Sequence, residues 1–340
     1  MTKDPFLLLS PEERQLYIKQ ASLTTGRGVF IYEKDFWVCW ILKILFTLPE
    51  FREQLTFKGG TALSKVYGVI SRFSEDIDIS LHRSFLGFGG DNDPENAISS
   101  NKRIKALEGL HDACASLIKE SVLPALSREI SKHLTEHWSL EIDSNDPQTL
   151  LFNYPTIGIT YQTKYILPFV KIEFGARSDN WPKDTRKVTS YISETFPDIF
   201  KDAGSAEVSA LSIGRTFWEK ATILHAEFHR PPESKIPERY SRHYYDLHCI
   251  AESPHRKVIL KDLSLLERVA KHKMIFFHSK WANYETAHPG KLRLYPQEAH
   301  IEPLKKDYQD MQSMFLDTPP QFVRVLEVIK DLENEINTTK

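Results

Sequence analysis

The sequence predicts a mixed α/β (α+β) protein of two domains. The first, residues 1–205, would contain a small mixed sheet, and the second, residues 206–340, would be helical. Residues 57–80 contain a short apolar run, a glycine pair, a helical pattern and a second strand pattern. Further strand patterns lie between residues 138 and 174. From about Val208 to the end of the chain, apolar residues recur at helical spacing.

The first helix is marked by its cap. Ser10 can cap the helix, Pro11 suits the first helical position and Glu13 completes a capping box, so a helix to about Thr24 is expected. The following apolar run, residues 33–48, predicts a buried helix whose charged end is residues 33–35.

A helix is also expected after the glycine pair. Leu63, Val66, Tyr67 and Ile70 have the i, i+3, i+4, i+7 spacing of a helix that lies on a core.

The next strand presents two acidic side chains on one face. Ile77 and Ile79 alternate with Asp76 and Asp78, so the isoleucines point to one side of the strand and the aspartates to the other. At the usual rise, the Cα atoms of the two aspartates would lie about 6.6 Å apart.

The remaining elements follow from turn signals and periodicity. Residues 87–101 predict a loop, and residues 102–137 a long helical region interrupted near Pro124. Strands are expected at residues 138–142, 156–161 and 166–174, the last of which carries Lys171 and Glu173. Residues 231–241 predict a loop between helices.

The composition is that of an ordinary globular protein. The chain of 340 residues is 41% hydrophobic and has a net charge of -2, which argues against a generally basic nucleic-acid-coating protein. Three separated cysteines favour neither a disulfide framework nor a structural zinc site. The apolar run at residues 6–9 is too short for a signal peptide, and no stretch approaches a membrane span, so a cytoplasmic protein is expected.

The aspartate strand and the glycine turn together suggest a magnesium-dependent phosphate site. Asp76 and Asp78, with Glu173 from another strand, offer the carboxylate oxygens that Mg²⁺ prefers. The backbone N–H groups at the GGT helix start, Gly59 to Thr61, would bind phosphate oxygens. An isolated D-x-D pair is more often a solvated strand face, but the linked glycine turn favours the functional interpretation.

Other site types have less support. The residues around the aspartates do not match a calcium loop, and GGTALSK lacks the P-loop spacing. His225 and His229 share a helix face, but Glu227 lies two residues from each, so the H-E-x-x-H arrangement is missing. No G-x-S-x-G motif of a nucleophilic hydrolase occurs.

The segments KGGTALSKVYG and RFSEDIDIS resemble the AbiEii/AbiGii toxin family, as do VKIEFG, EKATILHAE and SRHYYDLHCI further on. Members of this family are nucleotidyltransferases of the DNA polymerase β-like superfamily, found in bacterial type IV toxin–antitoxin and abortive-infection systems. The resemblance implies a polymerase-β-like nucleotidyltransferase domain followed by a helical C-terminal domain.

The resemblance also implies roles for individual residues. Asp76, Asp78 and Glu173 would hold Mg²⁺, and Lys220 and Asp246 would complete the catalytic set. The implied nucleotide-binding residues are Gly59, Gly60, Thr61, Ser74, Lys171, Lys220 and Arg242. The family usually has an acidic residue where this chain has His243, so no role is assigned to that position.

The implied reaction is transfer of a nucleoside monophosphate from an NTP to an acceptor, and some relatives modify the 3′ end of tRNA. A cognate antitoxin is a further expected partner. An RNA acceptor would suit the mixture of cationic and aromatic residues at Lys271, Lys273, Phe276, Phe277, Lys280, Trp281, Tyr284, Lys291, Arg293 and Tyr295. The alternative for Phe276 and Phe277 is that they belong to the core.

Two other functions fit the same residues. The enzyme could nucleotidylate a protein or a small molecule, or the chain could be a catalytically silent module that binds a nucleotide or a partner.

Overall fold

The computed structural model describes residues 3–158 and 167–339. The chain divides into two compact units. The first consists of Met1–Val66 and Phe73–Ala210, and the second of Tyr67–Arg72 and Leu211–Lys340. The division into two domains between residues 205 and 206 stays a prediction.

The first unit is built on a mixed sheet, which confirms the predicted α/β class. Its strands run in the spatial order β3-β4-β5-β2-β1-β7-β6. β2 pairs antiparallel with β1 and parallel with β5, so the aspartate strand lies inside the sheet between these two. The strands of the described residues are β1 (Leu55–Lys58), β2 (Ile77–Leu81), β3 (Ser139–Asp143), β4 (Asp146–Asn153), β5 (Val170–Gly175), β6 (Lys183–Val188) and β7 (Ala206–Leu211).

Within the described residues, six α-helices accompany this sheet. The Ser10 capping box is formed, and α1 begins at Pro11 as predicted. The long helical region is interrupted by a π-helical turn, Ile118–Val122, just before Pro124, which cannot donate a backbone hydrogen bond. The six are α1 (Pro11–Thr25), α2 (Val29–Thr47), α3 (Gly59–Lys65), α4 (Ser100–Leu117), α5 (Leu123–Ser131) and α6 (Tyr191–Thr195).

The prediction of a charged end at residues 33–35 was wrong. Helix α2 begins at Val29, and Glu33, Lys34 and Asp35 are buried within it. Each of these three side chains has a hydrogen-bonding or ion-pair partner. Glu33 accepts a hydrogen bond from the backbone of Ile157, and Lys34 and Asp35 form ion pairs. Paired charges of this kind tolerate burial, and apolar periodicity does not reveal such pairs.

Aromatic side chains pack α2 against the sheet. Trp37 stacks on Tyr154 with ring centroids 5.5 Å apart, and Trp40 stacks on Phe152 of β4 at 6.1 Å. Each buried aromatic contributes about 1.5–3 kcal/mol of hydrophobic stabilisation. This packing holds the sheet on which the aspartate strand lies.

The predicted helix after the glycine pair is shorter than the apolar spacing suggests. Helix α3 ends at Lys65, so Tyr67 and Ile70 lie beyond it. Gly68 has a φ of 60°, a left-handed conformation that a helix cannot continue through.

The strand predictions were only partly correct. β3 lies within one residue of its predicted position, and β5 covers the second half of the predicted strand 166–174. Residues 156–158 form no strand, and residues 159–161 and 166 lie outside the described residues. β4, β6 and β7 were missed, and β7 occupies the start of the region predicted to be helical.

The second unit is helical, as predicted. Helix α7 packs against α8 and α10, and α8 also packs against α12. Along the described part of the chain, no helix is long and apolar enough to cross a membrane. The helices are α7 (Ile213–Phe228), α8 (Ser241–Glu252), α9 (Arg256–Ile259), α10 (Leu263–Phe276), α11 (Glu298–Asp310) and α12 (Phe322–Thr338).

The short segment Tyr67–Arg72 is anchored in the second unit by hydrogen bonds. The Tyr67 hydroxyl donates to the carbonyl of Leu211 at 2.8 Å, and the Ser71 carbonyl accepts from the backbone of Leu316 at 2.9 Å. Arg72, at the end of the segment, donates two hydrogen bonds to Asp246. The chain therefore contributes to the second unit between α3 and β2.

Candidate active site

The glycine turn brings the backbone directly against one aspartate. Helix α3 begins at Gly59, immediately after β1 ends at Lys58. Gly59 has a φ of 81°, and a Cβ placed on it would lie 1.9 Å from Oδ2 of Asp78. Any other residue at position 59 would displace the Asp78 carboxylate, so glycine is required both by the backbone conformation and by the space.

Thr61 ties the helix start to the acidic strand. Its hydroxyl donates a hydrogen bond of 2.5 Å to the backbone carbonyl of Asp76 and lies 3.0 Å from the Ser74 hydroxyl. Thr61 is fully buried, so this bond is shielded from water. The two halves of the sequence motif thus form one connected structure in which Thr61 fixes the backbone at Asp76.

Three other carboxylates act on that of Asp76 at this place in the first unit. Asp78 and Glu173 are direct partners in the parallel pairing of β2 with β5. Burial raises the pKa of Asp76 to about 6, and the negative charges of Glu75, Asp78 and Glu173 add to the rise. The predicted acidic residues therefore share one electrostatic environment, in which negative charge exceeds positive charge.

Two lysines partly compensate this charge. Lys34 of α2 pairs with Glu75 at 2.5 Å and also donates to the backbone carbonyl of Leu167 at 2.8 Å. Lys171 pairs with Glu173, two residues further along β5. Burial lowers the pKa of Lys171, but the hydrogen bond and charge of Glu173, with Asp76, raise it overall. The pKa of Asp76 is raised even though the charge of Lys34 acts to lower it, so the lysines do not fully offset the negative charge.

The donor set suits a hard divalent cation. Mg²⁺ in phosphate-transferring sites is bound by one or two carboxylates, with water and substrate phosphates as the other ligands. In residues 3–158 and 167–339 no group of three His, Cys, Asp or Glu side chains is arranged as a complete metal site. The excess negative charge around Asp76 suits a divalent cation for which water and substrate phosphates would supply further ligands.

The second unit contains a buried cluster centred on Asp246 of α8. The Arg72 guanidinium donates to both carboxylate oxygens of Asp246, with Nε to Oδ1 at 2.7 Å and Nη2 to Oδ2 at 2.8 Å. The Lys220 ammonium, from α7, lies 2.7 Å from Oδ2. All three side chains are buried, so Asp246 holds two cations in fixed positions.

This cluster carries a surplus of positive charge. Burial raises the pKa of Asp246, but Arg72 and Lys220 lower it well below its usual range. Burial lowers the pKa of Lys220, and the charges of Arg72 and Arg242 lower it further against the opposing effect of Asp246. One carboxylate thus balances three cationic side chains, an arrangement suited to binding an anion.

The residue at the atypical position of the motif, His243, is partly buried and neutral. Burial lowers the pKa of His243 well below its usual value, and the charges of Lys220 and Arg242 act in the same direction. A protonated imidazole would add a further cation to the cluster. His243 therefore contributes no charge here.

The predicted site residues fall into two groups, one in each unit. The first unit holds Gly59, Gly60, Thr61, Ser74, Asp76, Asp78, Lys171 and Glu173, and the second holds Lys220, Arg242 and Asp246. Their catalytic and binding roles stay predictions.

Sequence reasoning missed Arg72 and Lys34. Arg72 opens the RFSEDIDIS segment without a predicted role, although it donates two hydrogen bonds to Asp246. Lys34 lies in the stretch that the sequence predicts to be a charged helix end. Arg72 lies next to an acidic motif and Lys34 lies in an otherwise apolar run, and such positions are the signal that could have drawn attention to them. Their partners are distant in sequence, so the signal does not identify them.

Comparison with known proteins identifies the family. The family model for the nucleotidyl transferase AbiEii toxin of type IV toxin–antitoxin systems matches residues 40–328. No curated protein matches the sequence. Among solved structures, MenT4, a nucleotidyltransferase toxin from Mycobacterium tuberculosis H37Rv, is 14% identical, with a TM-score of 0.45 over 96% of this chain and 97% of that chain.

The family model covers most of the chain and includes both groups of candidate residues. The resemblance of the glycine turn, the aspartate strand and the later motifs is thus confirmed over the whole region that contains them. The chain belongs to the AbiEii family of nucleotidyltransferase toxins from type IV toxin–antitoxin systems.

Proposed function

We propose that this nucleotidyltransferase toxin is magnesium-dependent and transfers a nucleoside monophosphate from an NTP to the 3′ end of tRNA. The observation that carries the proposal is that Asp76, Asp78 and Glu173 share one environment, in which burial first, and then the negative charges of Glu75, Asp78 and Glu173, raise the pKa of Asp76 to about 6. A divalent cation relieves that repulsion, and an NTP requires such a cation to balance its phosphates.

Asp76 and Asp78 would hold the magnesium ion, with Glu173 as the third carboxylate. When bound, the ion neutralises phosphate charge and favours ionisation of the acceptor hydroxyl. Gly59 leaves the space that the Asp78 carboxylate occupies, and Thr61 fixes the backbone of Asp76. These contacts hold two acidic residues in position before substrate arrives, which lowers the cost of organising the site.

Cationic residues would bind the nucleotide. The surplus positive charge around Asp246 supports phosphate contacts for Lys220 and Arg242. Lysine supplies a compact point charge for phosphate oxygens, and Arg72 keeps Asp246 ionised so that the carboxylate can position Lys220. Lys171, Ser74 and the backbone of residues 59–61 are the proposed contacts in the first unit.

The proposed partners follow from this activity. Since the family is that of a type IV toxin–antitoxin system, a cognate antitoxin is expected in the same cell. Both NTPs and tRNA are cytoplasmic, so we place the enzyme in the cytoplasm, with a role in antiviral defence by abortive infection.

A labelled-NTP transfer assay tests the proposal. Purified protein is incubated with each of the four labelled NTPs, Mg²⁺ and either total RNA or cell lysate, and the labelled species are separated by size. We expect label in the tRNA band, and its loss after addition of EDTA or in Asp78→Asn, which removes one metal-binding charge and keeps the strand.

Other outcomes decide between the alternatives. Label in a protein or a small molecule would replace tRNA as the acceptor. An absence of pyrophosphate release with every NTP, together with unchanged growth when the protein is expressed, would contradict catalysis and favour a silent binding module.

A further inference from the structure

A stretch of the second unit concentrates positive charge without any acidic residue. Residues 268–284 contain four Lys or Arg residues and no Asp or Glu, in a chain whose net charge is -2. The stretch covers the end of α10 and the loop after it. A nucleic-acid backbone requires such a local excess of cations.

Two aromatic rings in this stretch carry cations over their faces. Lys273 Nζ lies 4.3 Å from the ring centroid of Phe277, which is 38% exposed. The guanidinium of Arg230, two residues after α7, lies 4.6 Å from the ring centroid of the partly exposed Trp281. Phe276, by contrast, is 2% exposed and belongs to the core.

The loop that carries Trp281 is fixed to α7 by two histidines. The Asn283 carbonyl accepts a hydrogen bond from His225 Nε2 at 3.0 Å, and its side-chain amide donates to His229 Nδ1 at 3.1 Å. Asn283 has a φ of 48°, a left-handed conformation that these bonds stabilise. The histidine pair of the sequence therefore has a positioning role on this surface.

Hydrogen bonds also fix the position of Arg230. It donates to the Glu227 carboxylate at 2.7 Å, and its own backbone carbonyl accepts from Gln297 at 3.1 Å. A ring and a cation that are already ordered lose less conformational entropy when a ligand binds.

We propose that Phe277 and Trp281, with Lys273, Arg230 and Lys280, form a binding surface for the single-stranded end of the RNA acceptor. Unpaired bases stack on exposed aromatic rings, while neighbouring cations contact the phosphates. Because residues 268–284 contain four cations and no acidic side chain, RNA suits this surface better than a protein partner. The inference rests on the proposed function, since it assigns the place where that acceptor binds.

Fluorescence anisotropy with the full chain, without NTP or Mg²⁺, tests this surface. The probes are a labelled 12-nucleotide single-stranded RNA and a blunt hairpin of the same length. We expect the single strand to bind more tightly, and Phe277→Ala and Trp281→Ala each to weaken its binding by about tenfold. Lys280→Gln should lower the slope of log affinity against log salt by about 0.7.

Two further sets of variants make the result decisive. Phe85→Ala removes another exposed aromatic ring, in the first unit, and should leave RNA affinity unchanged. Phe277→Leu and Trp281→Leu remove the ring but keep an apolar side chain at two partly exposed positions, so they should lose affinity at a nearly unchanged unfolding temperature. Wild-type affinity in the leucine double variant would overturn the proposal and leave the surface to a partner protein.

Failure of the RNA-binding surface and failure of the proposed reaction give different results. If the variants lose RNA binding but the wild type labels no RNA, the surface stands and the proposed reaction fails. If the double variant transfers nucleotide with an unchanged KM for tRNA, the reaction stands and the surface assignment fails.

Discussion

The Asp78 carboxylate lies against Gly59 so closely that a Cβ at position 59 would be 1.9 Å from Oδ2. The glycine turn and the aspartate strand are therefore one structural unit. Substitution of the glycine would move a proposed metal-binding carboxylate, although Gly59 itself has no side chain that takes part in chemistry.

We expect Gly59→Ala to abolish nucleotide transfer and to lower stability by about 1–2 kcal/mol, the cost of a left-handed conformation in a residue with a Cβ. Gly26→Ala is the matched control, because Gly26 has a φ of 76° and no atom lies within 4 Å of the position that a Cβ would take there. It should lose similar stability and keep activity. Transfer assays and urea denaturation measure both effects, and full activity in Gly59→Ala would refute the role given to this contact.

The buried cluster in the second unit predicts different losses of stability for two variants. Asp246→Asn removes the carboxylate that balances Arg72 and Lys220, and should lower the free energy of unfolding by about 3–5 kcal/mol. Lys220→Met keeps the Arg72–Asp246 pair, so it should cost less stability but abolish transfer. Denaturation curves and transfer assays separate these effects. Equal destabilisation by the two variants would show that Asp246 does not act as the common anchor.

His225 predicts a pH dependence of stability. Burial lowers its pKa to about 4, against the opposing effect of its hydrogen bond to the Asn283 carbonyl. The neutral ring donates to that carbonyl through Nε2 and accepts from the backbone of Arg293 at Nδ1. Between pH 6.5 and 4 the unfolded chain binds this proton and the folded chain does not, so stability falls as the pH falls. The loss should reach up to about 3 kcal/mol.

The measurement is the difference in unfolding free energy between the wild type and His225→Phe, followed from pH 7 to pH 4. That difference should shrink with acidity, because the phenylalanine does not titrate. A constant difference would mean that His225 has an ordinary pKa in the folded protein.

Magnesium and nucleotide should stabilise the protein together. With a non-hydrolysable NTP at a hundred times its Kd, mass action contributes about 2.7 kcal/mol of stability, which a thermal-shift measurement detects. EDTA should remove the effect. Asp78→Asn should show no shift and Gly26→Ala the full shift, whereas an undiminished shift in Asp78→Asn would contradict the proposed metal ligand.

Local patterns in the sequence determined much of this protein. The capping box at Ser10 fixed the start of α1, because its partners are three residues apart. Alternation along β2 placed Ile77 and Ile79 in the core and left Asp78 on the other face. The glycine turn and the acidic strand depend on residues close together in the chain, and both were predicted. The family resemblance likewise rests on short local motifs.

Only the tertiary structure decided which distant charges meet. The pairs Arg72–Asp246 and Lys34–Glu75 join residues that are far apart in sequence, so no periodicity reveals them. The same holds for the edge strand β6, which is mostly exposed and has no apolar alternation, and for the segment Tyr67–Arg72. The pattern of residues in the sequence indicates the local secondary structure and which side of a helix or strand is buried. Charge pairing and the order of strands in the sheet depend on contacts between residues far apart in the chain.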